Sequence, residues 1–542
     1  MASLMELVEK INKGEQIDAA LLEIYLESSN AAEKFLANHA RAMLDLRRSH
    51  TYLLEALEAI DYADQKVLFQ FMSVLGFLGL AEQRTRPVIR FAAAAISRRE
   101  TSLALEAIQS AVTQDQQLGG HFLADRDNAA LVAQQYHRAA ESIGWYATST
   151  TSTDTTNQPL RVGYLTSNIV DDDAPARLIG MLNKHFDPKD VRLHVYSTEA
   201  TVRREKLCFN QGPFTVASVK RGKETIDQLN RKKSPVWFAP LDGDFAANAR
   251  DLATQIGKDN VDVLLIDAAP TDPIAAVLAQ WPVARAHLHL TRQSPLLSGR
   301  PGGAVYVDAH VLRNDETTWK HQQVPTSLIT EGIEPGTDAP PVLQRSAFGI
   351  PDQSVIIATV ANETDTPSSN EFIDTIIHLL RQHPHAVLLV AGDADTSAMK
   401  RRFDSAGLGK RAGFTGKRRD MPEFLKLADV ILAPFPDATA TGIVQAMAAG
   451  RPVVGLANPT SGAQDAAVLL DSSDCVGRDV IAYAELATRL IRDPALRKQT
   501  GERLRQRAVD AYSTQQTVKA IEALCRASLE KPATVQSFAQ AA

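Results

Sequence analysis

Short apolar runs alternate with helical stretches over most of the chain beyond residue 160. They fall into two series. The first series consists of residues 160–167, 192–197, 214–219, 261–267 and 286–290, and the second of residues 355–359, 386–390, 413–415, 430–432 and 453–456. Parallel strands need a crossover, usually a helix, so this alternation is typical of a doubly wound parallel sheet. The sequence therefore predicts an α/β fold of two Rossmann-like domains that face each other across a cleft.

The residues before this alternation have a helical pattern throughout. Apolar residues such as Leu21, Leu22 and Tyr25 recur at helical spacing with charges between them. An all-α domain is predicted for this region, and a degenerate helical-repeat array is one interpretation of it. Such an array presents a surface to a partner protein, and the alternative is a structural cap on the next domain. The sequence leaves both interpretations open.

Polar, low-complexity sequence separates the helical region from the strands and defines the predicted domain boundaries. The end of the chain, at residues 480–491 and 495–529, is helical and long enough to pack back across both sheets. The predicted units are residues 1–146, a linker at 147–159, a first Rossmann-like domain at 160–345, a second at 346–530 and a tail at 531–542.

Composition narrows the functional class. The 542 residues carry a formal net charge of −6, which gives no reason to expect nucleic acid or an anionic membrane as a partner. The three cysteines are far apart and match neither a zinc site nor a disulfide framework. The acidic and polar start is unlike a signal peptide, and no apolar stretch is long enough to span a membrane. A cytoplasmic protein without a metal site is therefore expected.

The sequence after the apolar run at 430–432 has the pattern of an anion-binding helix start. A loop with two prolines follows that run, and Thr439, Thr441 and Gly442 then open a helix. The N–H groups of a first helical turn and the helix dipole favour an anion such as a diphosphate. The alternative is an ordinary βαβ unit whose helix has a threonine cap.

The segment Pro434-Phe-Pro-Asp-Ala-Thr-Ala-Thr-Gly-Ile-Val444 resembles a segment of the bacterial HMW1C-type protein N-glucosyltransferases, whose family includes the protein O-GlcNAc transferases. Residues 161–167, 262–267, 282–287 and 324–329 resemble strands of the same family, in the same order. This resemblance implies a GT-B glycosyltransferase, in which two Rossmann-like halves are closed by a C-terminal helix. It also implies that the first domain faces the acceptor and that the second binds a nucleotide sugar.

The chain departs from this family at several binding positions. The family places a lysine on the diphosphate, but the corresponding loop here contains Asn362 and two acids and no lysine. The family's ribose-binding carboxylate corresponds to the neutral Gln445, and a family histidine corresponds to Met421. A charge-assisted contact is worth about 1.5–3 kcal/mol, so loss of the lysine weakens binding on the order of ten- to a hundredfold. Arg418 and Arg419 are candidate replacement cations, and the alternative for them is a solvated basic turn.

The donor-binding prediction gathers residues from these segments of the second domain. The predicted donor-binding residues are Thr439, Thr441, Gly442, Gln445, Arg418, Arg419 and Asn362. The resemblance implies no metal and no cofactor beyond the donor substrate itself.

The catalytic candidates lie in the first domain. Asp171, Asp172 and Asp173 follow the first strand at its carboxyl end, where such sheets carry catalytic groups and where a carboxylate can act as a base. The alternative for them is a solvated acidic turn. His287 and His289 alternate with apolar residues and therefore share one face of a strand. His287 is the fourth catalytic candidate, and the alternative is a pair of core histidines.

These residues and the resemblance predict a glycosyltransferase that moves a sugar from a nucleotide sugar, UDP-linked, to a protein acceptor. The family is inverting and metal-independent, and the N-terminal helices would recruit the acceptor or a partner protein. The departures leave two alternatives. One is a catalytically impaired pseudo-glycosyltransferase that acts as a partner subunit, and the other is a GT-B enzyme that acts on a glycan.

Overall fold

The computed structural model describes most of the chain beyond residue 81, with gaps. The described residues are 19–27, 37–38, 41, 81–117, 123, 126–145, 158–171, 173–200, 221–241, 244–268, 271–291, 303–306, 326–328, 333, 342–360, 369–392, 394–418, 420–435, 440–457 and 466–530. The predicted strand at 214–219 and the site residues Asp172, Asn362, Arg419 and Thr439 lie outside them. Within the described ranges, no helix has the length and apolar character needed to cross a membrane.

Four helices precede the sheets in the described part of the chain. They are α1 (Ala19–Leu26), α2 (Ala81–Ser97), α3 (Thr101–Gln117) and α4 (Arg126–Ile143). The helical character predicted for this region is present in each of these segments. The last helix ends well before the first strand, which begins at Leu160.

In the described residues, the first sheet has seven parallel strands. They are β1 (Leu160–Thr166), β2 (Val191–Ser197), β3 (Val236–Phe238), β4 (Val263–Asp267), β5 (Ala286–Thr291), β6 (Gly303–Tyr306) and β7 (Thr326–Leu328). Their order is β3-β2-β1-β4-β5-β6-β7. All five residues of β4 are buried, as expected of a strand that has helices on both faces. The short β3 was not predicted, because three half-buried residues are too few to show a period.

The part of the second sheet that the structure describes has six parallel strands. They are β8 (Val355–Val360), β9 (Ala386–Ala391), β10 (Ala412–Gly416), β11 (Val430–Leu432), β12 (Val453–Leu456) and β13 (Val476–Gly477). Their order is β10-β9-β8-β11-β12-β13. Each of the five strands predicted for the second series agrees with an observed strand to within one residue at either end.

In the described ranges, helices connect many of the successive strands and cover both sheets. In the first domain they are α5 (Ala174–His185), α6 (Lys223–Arg231), α7 (Phe245–Lys258) and α8 (Pro273–Leu278). In the second they are α9 (Asn370–Gln382), α10 (Ser397–Ser405), α11 (Met421–Leu427), α12 (Ala440–Ala448), α13 (Ala466–Leu470) and α14 (Val480–Arg492). In α9, Ser369 caps the first turn by accepting a hydrogen bond from the Phe372 N–H at 3.1 Å. Ile373, Ile376 and Leu380 recur at helical spacing on its buried face.

The helices α2, α3 and α4 share a hydrophobic core with the first domain. Their buried residues form one cluster with those of α7, α8 and one face of the first sheet. The buried Gln109 side chain donates a hydrogen bond to the Ala200 carbonyl oxygen at 2.5 Å, and the Trp281 indole donates to the Ala140 carbonyl oxygen at 3.3 Å. In this arrangement the helices α2, α3 and α4 form a structural cap on the first domain and not a separate module that recruits a partner.

Two passages of the chain between the domains lie side by side. The Ile333 N–H donates to the Tyr512 carbonyl oxygen at 3.0 Å, and the Thr514 N–H donates to the Ile333 carbonyl oxygen at 3.1 Å. Ser513 between them is extended, so the predicted helical tail is two helices, α15 (Pro494–Tyr512) and α16 (Thr514–Glu530). α15 packs on α12 and α14, and α16 packs on α5 and β5 of the first domain. The predicted fold class is confirmed: helices precede two Rossmann-like domains that a C-terminal helix closes.

Candidate functional site

The strand order reverses once in each sheet, and ligands of open α/β sheets bind at such points. In the first sheet the reversal lies between β1 and β4, because β2 and β3 extend to one side and β5 to β7 to the other. In the second sheet it lies between β8 and β11. The candidate site is therefore built from the segments that follow these four strands at the carboxyl edges of the two sheets.

Helix α12 begins just after the reversal of the second sheet and carries three predicted donor-binding residues. It starts at Ala440, so Thr441 and Gly442 lie in its first turn. Thr441 and Gln445 are four residues apart, share one face of the helix and are both half-buried. The structure thus brings together a hydroxyl, an amide and a helix N-terminus, which is an arrangement that can bind an anionic ligand with sugar hydroxyls.

Close packing on its buried face and at its C-terminal end fixes the position of α12. Val444 and Met447 are fully buried against the core of the second domain. Gly450, just after the helix, has a φ of +70°, a left-handed conformation that favours glycine. A Cβ atom added to Gly501 of α15 would overlap the Gly450 carbonyl oxygen. The two glycines therefore allow α15 to press directly on the end of α12.

Arg418, a predicted diphosphate ligand, is engaged within the protein. Its Nε and one terminal nitrogen donate hydrogen bonds to the two carboxylate oxygens of Asp420, at 2.8 and 2.6 Å. Its guanidinium carbon lies 5.5 Å from the ring centres of both Phe348 and Phe424. The hydrogen bond from Arg418 outweighs desolvation and lowers the pKa of Asp420. Arg418 also follows β10, two strands from the reversal, so its geometry does not support a role at the diphosphate.

Asp171, a predicted base, is a helix-capping carboxylate in the structure. It accepts hydrogen bonds from the N–H groups of Glu224 and Thr225 and from the Thr225 hydroxyl, all at the start of α6. Partial burial opposes ionisation of Asp171, but these three hydrogen bonds outweigh it and hold its pKa below the usual value. A carboxylate with a lowered pKa and occupied oxygens is a poor proton acceptor, so the geometry does not support Asp171 as the base.

The remaining described catalytic candidates are separated from one another. Asp173 is exposed at the N-cap position of α5, where its side chain makes no capping hydrogen bond. His287 and His289 are buried in β5, and their partners in register, Leu264 and Ile266, belong to the core shared with the N-terminal helices. Burial, and then the proximity of His287, lowers the pKa of His289 to about 3. His287 is the second residue of β5 and lies far from the carboxyl edge. Both histidines are therefore core residues in this structure.

Two buried carboxylates at the carboxyl edge of the first sheet were not predicted. The Tyr164 hydroxyl donates a hydrogen bond to Asp267, at the end of β4. Asp272 accepts a hydrogen bond from the Thr198 hydroxyl at 2.5 Å, and burial raises its pKa although its hydrogen bonds act in the opposite direction. Asp272 is also the N-cap of α8, and an aspartate directly before Pro273 is a helix-start signature that could have revealed it.

The second domain matches a known family. Residues 356–493 match the family described as "Glycosyl transferases group 1". The chain is also 27% identical, over 154 residues, to the lipopolysaccharide core biosynthesis mannosyltransferase LpsB of Rhizobium meliloti (strain 1021). That match spans 27% of this chain and 44% of the mannosyltransferase, so the chain spans less than half the length of this curated relative.

Two solved structures share the fold. A mutant of the Thermobaculum terrenum O-GlcNAc transferase aligns with a TM-score of 0.51 and 17% identity, over 97% of each chain. A glycosyltransferase from Rickettsia africae ESF-5 aligns with a TM-score of 0.51 and 13% identity, over 69% of this chain and 100% of that one. Residues 356–493 are thus similar to the group 1 glycosyltransferases, and the two Rossmann-like sheets closed by a C-terminal helix give the chain the GT-B fold.

Proposed function

We propose that this chain transfers a sugar from a UDP-linked nucleotide sugar to a protein acceptor. The observation that carries the proposal is the start of α12 at the reversal of the second sheet, inside the group 1 domain. A helix N-terminus attracts a diphosphate, and Thr441 and Gln445 offer a hydroxyl and an amide to the nucleotide. The UDP linkage follows the family that residues 434–444 resemble.

The proposed acceptor depends on how much of this chain each similar protein covers. The likeness to the O-GlcNAc transferase covers 97% of this chain and so includes the helices before the sheets, which supports a protein acceptor. The likeness to the lipopolysaccharide mannosyltransferase covers 27% of the chain and makes a glycan the second candidate. Because α2 to α4 share the core of the first domain, their outer surface would meet an acceptor protein as part of that domain.

The proposed reaction is a single inverting displacement. The acceptor nucleophile attacks the anomeric carbon opposite the diphosphate, the bond from that carbon to the diphosphate breaks, and the acceptor proton passes to solvent. The leaving diphosphate gains negative charge as the bond breaks. The N-terminal turn of α12 stabilises that charge most in the transition state, where it develops. As in the family that the sequence resembles, the proposed displacement uses no metal.

Calorimetric titration of the full chain with UDP, UDP-glucose, UDP-GlcNAc and GDP-mannose tests the donor. We expect a UDP-sugar to bind and Thr441→Glu to weaken that binding by about a hundredfold, because a carboxylate replaces a donor and repels the diphosphate. Thr441→Ser keeps the hydroxyl and is the matched control, with binding unchanged to within about threefold. A hundredfold excess of ligand over its dissociation constant would also stabilise the native chain by about 2.7 kcal/mol.

Transfer of the radiolabelled sugar to reduced, alkylated casein or to a lipopolysaccharide core oligosaccharide tests the acceptor. Labelled casein supports the proposal. Label that appears only in the oligosaccharide replaces it with the glycan reaction. No binding of any of these nucleotides at millimolar concentration contradicts both reactions and supports a partner subunit without transferase activity.

A further inference from the structure

The start of α6 is hydrogen-bonded to the loop that follows β1. Residues 221–225 are named the strap here. The Asp171 carboxylate accepts hydrogen bonds from the Glu224 N–H at 3.0 Å, the Thr225 N–H at 2.9 Å and the Thr225 hydroxyl at 2.8 Å. In the opposite direction, the Gly222 N–H of the strap donates to the Ile169 carbonyl oxygen at 2.8 Å. Hydrogen bonds to a carboxylate are about twice as strong as neutral ones, so the loop is tied firmly to the strap.

The contact between strap and loop is too close for a side chain at Gly222. A Cβ atom at this position would lie 2.6 Å from the Asp171 backbone nitrogen and 2.6 Å from Oδ1 of the same residue. Both are closer than real Cβ contacts come, and one of them is to backbone that cannot rotate away. Glycine at residue 222 is therefore required for the Asp171 hydrogen bonds to form.

The other end of the strap is bonded to the end of β2. Glu199 is buried, has a φ of +55° and accepts a hydrogen bond from the Ser197 hydroxyl at 2.7 Å. The Arg221 Nε donates to the second Glu199 oxygen at 3.2 Å. The Arg221 guanidinium carbon also lies 4.2 Å from the centre of the Phe238 ring at the end of β3. The strap therefore contacts the carboxyl ends of β1, β2 and β3.

We propose that the strap holds the loop after β1 as a fixed wall of the acceptor side, with Asp171 as a positioning residue. The inference rests on the proposed function, since the reversal between β1 and β4 is where an open sheet binds its ligand. Ile169 is buried and anchors the loop, and Asn168 and Val170 on either side of it are half-buried. Within the described part of the loop, these two side chains are accessible enough at the edge to meet an acceptor.

This arrangement separates the effect on the acceptor from the effect on the donor. The loop and the strap belong to the first sheet, whereas Thr441 and Gln445 belong to the second. Releasing the loop leaves the donor-binding helix α12 untouched. Release of the loop increases the number of conformations that the loop adopts in the free protein. Binding of the acceptor must then order the loop, and this cost raises the acceptor KM. A base at the same position would instead lower kcat and change its dependence on pH.

The test is UDP release by the full chain with UDP-glucose as donor and reduced, alkylated casein as acceptor. Asp171→Ala and Gly222→Ala are expected to raise the KM for casein about tenfold, which is the loss carried by about one charge-assisted hydrogen bond. Both should leave kcat and the dissociation constant of UDP within about threefold of wild type. Asp171→Asn keeps one carbonyl oxygen as an acceptor and should fall between wild type and Asp171→Ala.

Hydrogen exchange supplies a readout that needs no acceptor. Backbone amides of residues 168–171 should exchange at least about tenfold faster in Asp171→Ala. Asp493→Ala is the matched control, because the Asp493 carboxylate accepts hydrogen bonds from two backbone N–H groups, at 2.9 and 3.0 Å, at the start of α15. Asp493 follows α14, which returns from the carboxyl edge, so it caps a helix at the opposite edge. This control should change neither the casein KM nor the exchange of the loop.

Unchanged loop exchange in Asp171→Ala overturns the proposal, as does a fall in kcat with a shifted pH profile and an unchanged casein KM. Failure of the proposed function is seen separately, in a wild-type chain that neither binds UDP nor labels casein. In that case accelerated loop exchange would still support the positioning role of Asp171, and unchanged exchange would still exclude it.

Discussion

The carboxyl edges of the two sheets hold different kinds of side chain. At the edge of the first sheet, several charged groups are bonded to partners within the protein, as in the Glu199–Arg221 ion pair and the Asp272–Thr198 hydrogen bond. At the start of α12, on the edge of the second sheet, the described groups are the neutral Thr441 and Gln445. A carboxylate at the right edge of a sheet is therefore not evidence of catalysis until its hydrogen-bond partners are known.

The outer layers of the two domains differ as well. The first domain is thickened by α2, α3 and α4, whose apolar faces complete its core. The second domain is held by its own helices, and α15 reaches α12 through a contact between two glycines. Stability of the first domain thus depends on a large apolar area from a distant part of the sequence, whereas the candidate donor helix depends on a few close backbone contacts.

Deletion of residues 1–145 should have the largest effect. It exposes the faces of α7 and α8 that α3 and α4 cover, including the fully buried Leu252, Ile274 and Val277. Each such side chain contributes about 1.5–3 kcal/mol on burial, so we expect the truncated chain to aggregate. Size-exclusion chromatography and circular dichroism measure this, with deletion of residues 531–542 as the control. A folded, monomeric chain that still binds UDP would show that the helices are a separate module.

The same substitution at two helical glycines should have opposite signs in the two domains. Gly501→Ala places a Cβ atom on the Gly450 carbonyl oxygen and should lower the free energy of unfolding by about 2 kcal/mol. Gly257→Ala in α7 meets nothing within 4 Å and should raise it by about 0.5 kcal/mol, through lower entropy of the unfolded chain. Thermal and urea unfolding test this pair. Equal effects would mean that α15 does not press on α12 as described.

The buried His289 should make stability depend on pH. Its pKa is about 3 in the folded chain and 6.5 in the unfolded one, so below about pH 6.5 only the unfolded state takes up the proton. The stability is complete above pH 6.5 and is lost as the pH falls toward 3, by about 2 kcal/mol between pH 7 and pH 5. Urea unfolding at both pH values should show this part of the loss disappear in His289→Gln.

The control for this titration is the exposed His137, whose substitution by glutamine should leave the loss between pH 7 and pH 5 unchanged. An unaltered loss in His289→Gln would mean that His289 titrates normally in the folded chain. That result would reopen the β5 histidines as groups in contact with solvent at the edge of the first sheet.

The strands and most helices of the second sheet could be predicted from the sequence because the signals for each element lie within that element. The apolar run of β11, the prolines after it and the small residues of α12 all lie within one short segment, so period and turn signals identified each of them. Elements too short to show a period, such as β3 and α8, were missed. The interruption of the helix at Ser513 was also not predicted. Ser513 pairs there with Ile333, which is far away in the sequence.

In the candidate site, too, the residues that could be predicted together are those that lie close together in the sequence. Thr441, Gly442 and Gln445 could be placed together because they lie within two turns of one helix. The hydrogen bonds of Asp171 could not be predicted, because its partners, Glu224 and Thr225, lie more than fifty residues away, and a pattern of charges does not reveal which N–H groups a carboxylate will meet. The contacts of Arg418 could not be predicted for a related reason, since Phe348 lies about seventy residues earlier in the sequence.

The alternation of strands and helices, the helix that contains Thr441 and the resemblance to a glycosyltransferase family could all be read from short segments of the sequence. The strand order, the two reversal points, the shared core of α2 to α4 with the first domain and the hydrogen-bond partners of Asp171 and Arg418 became known only from the three-dimensional structure. The physical reason is that hydrogen bonds and apolar contacts act over a few ångströms in space. Which residues come that close is set by the packing of whole elements and not by their separation along the chain.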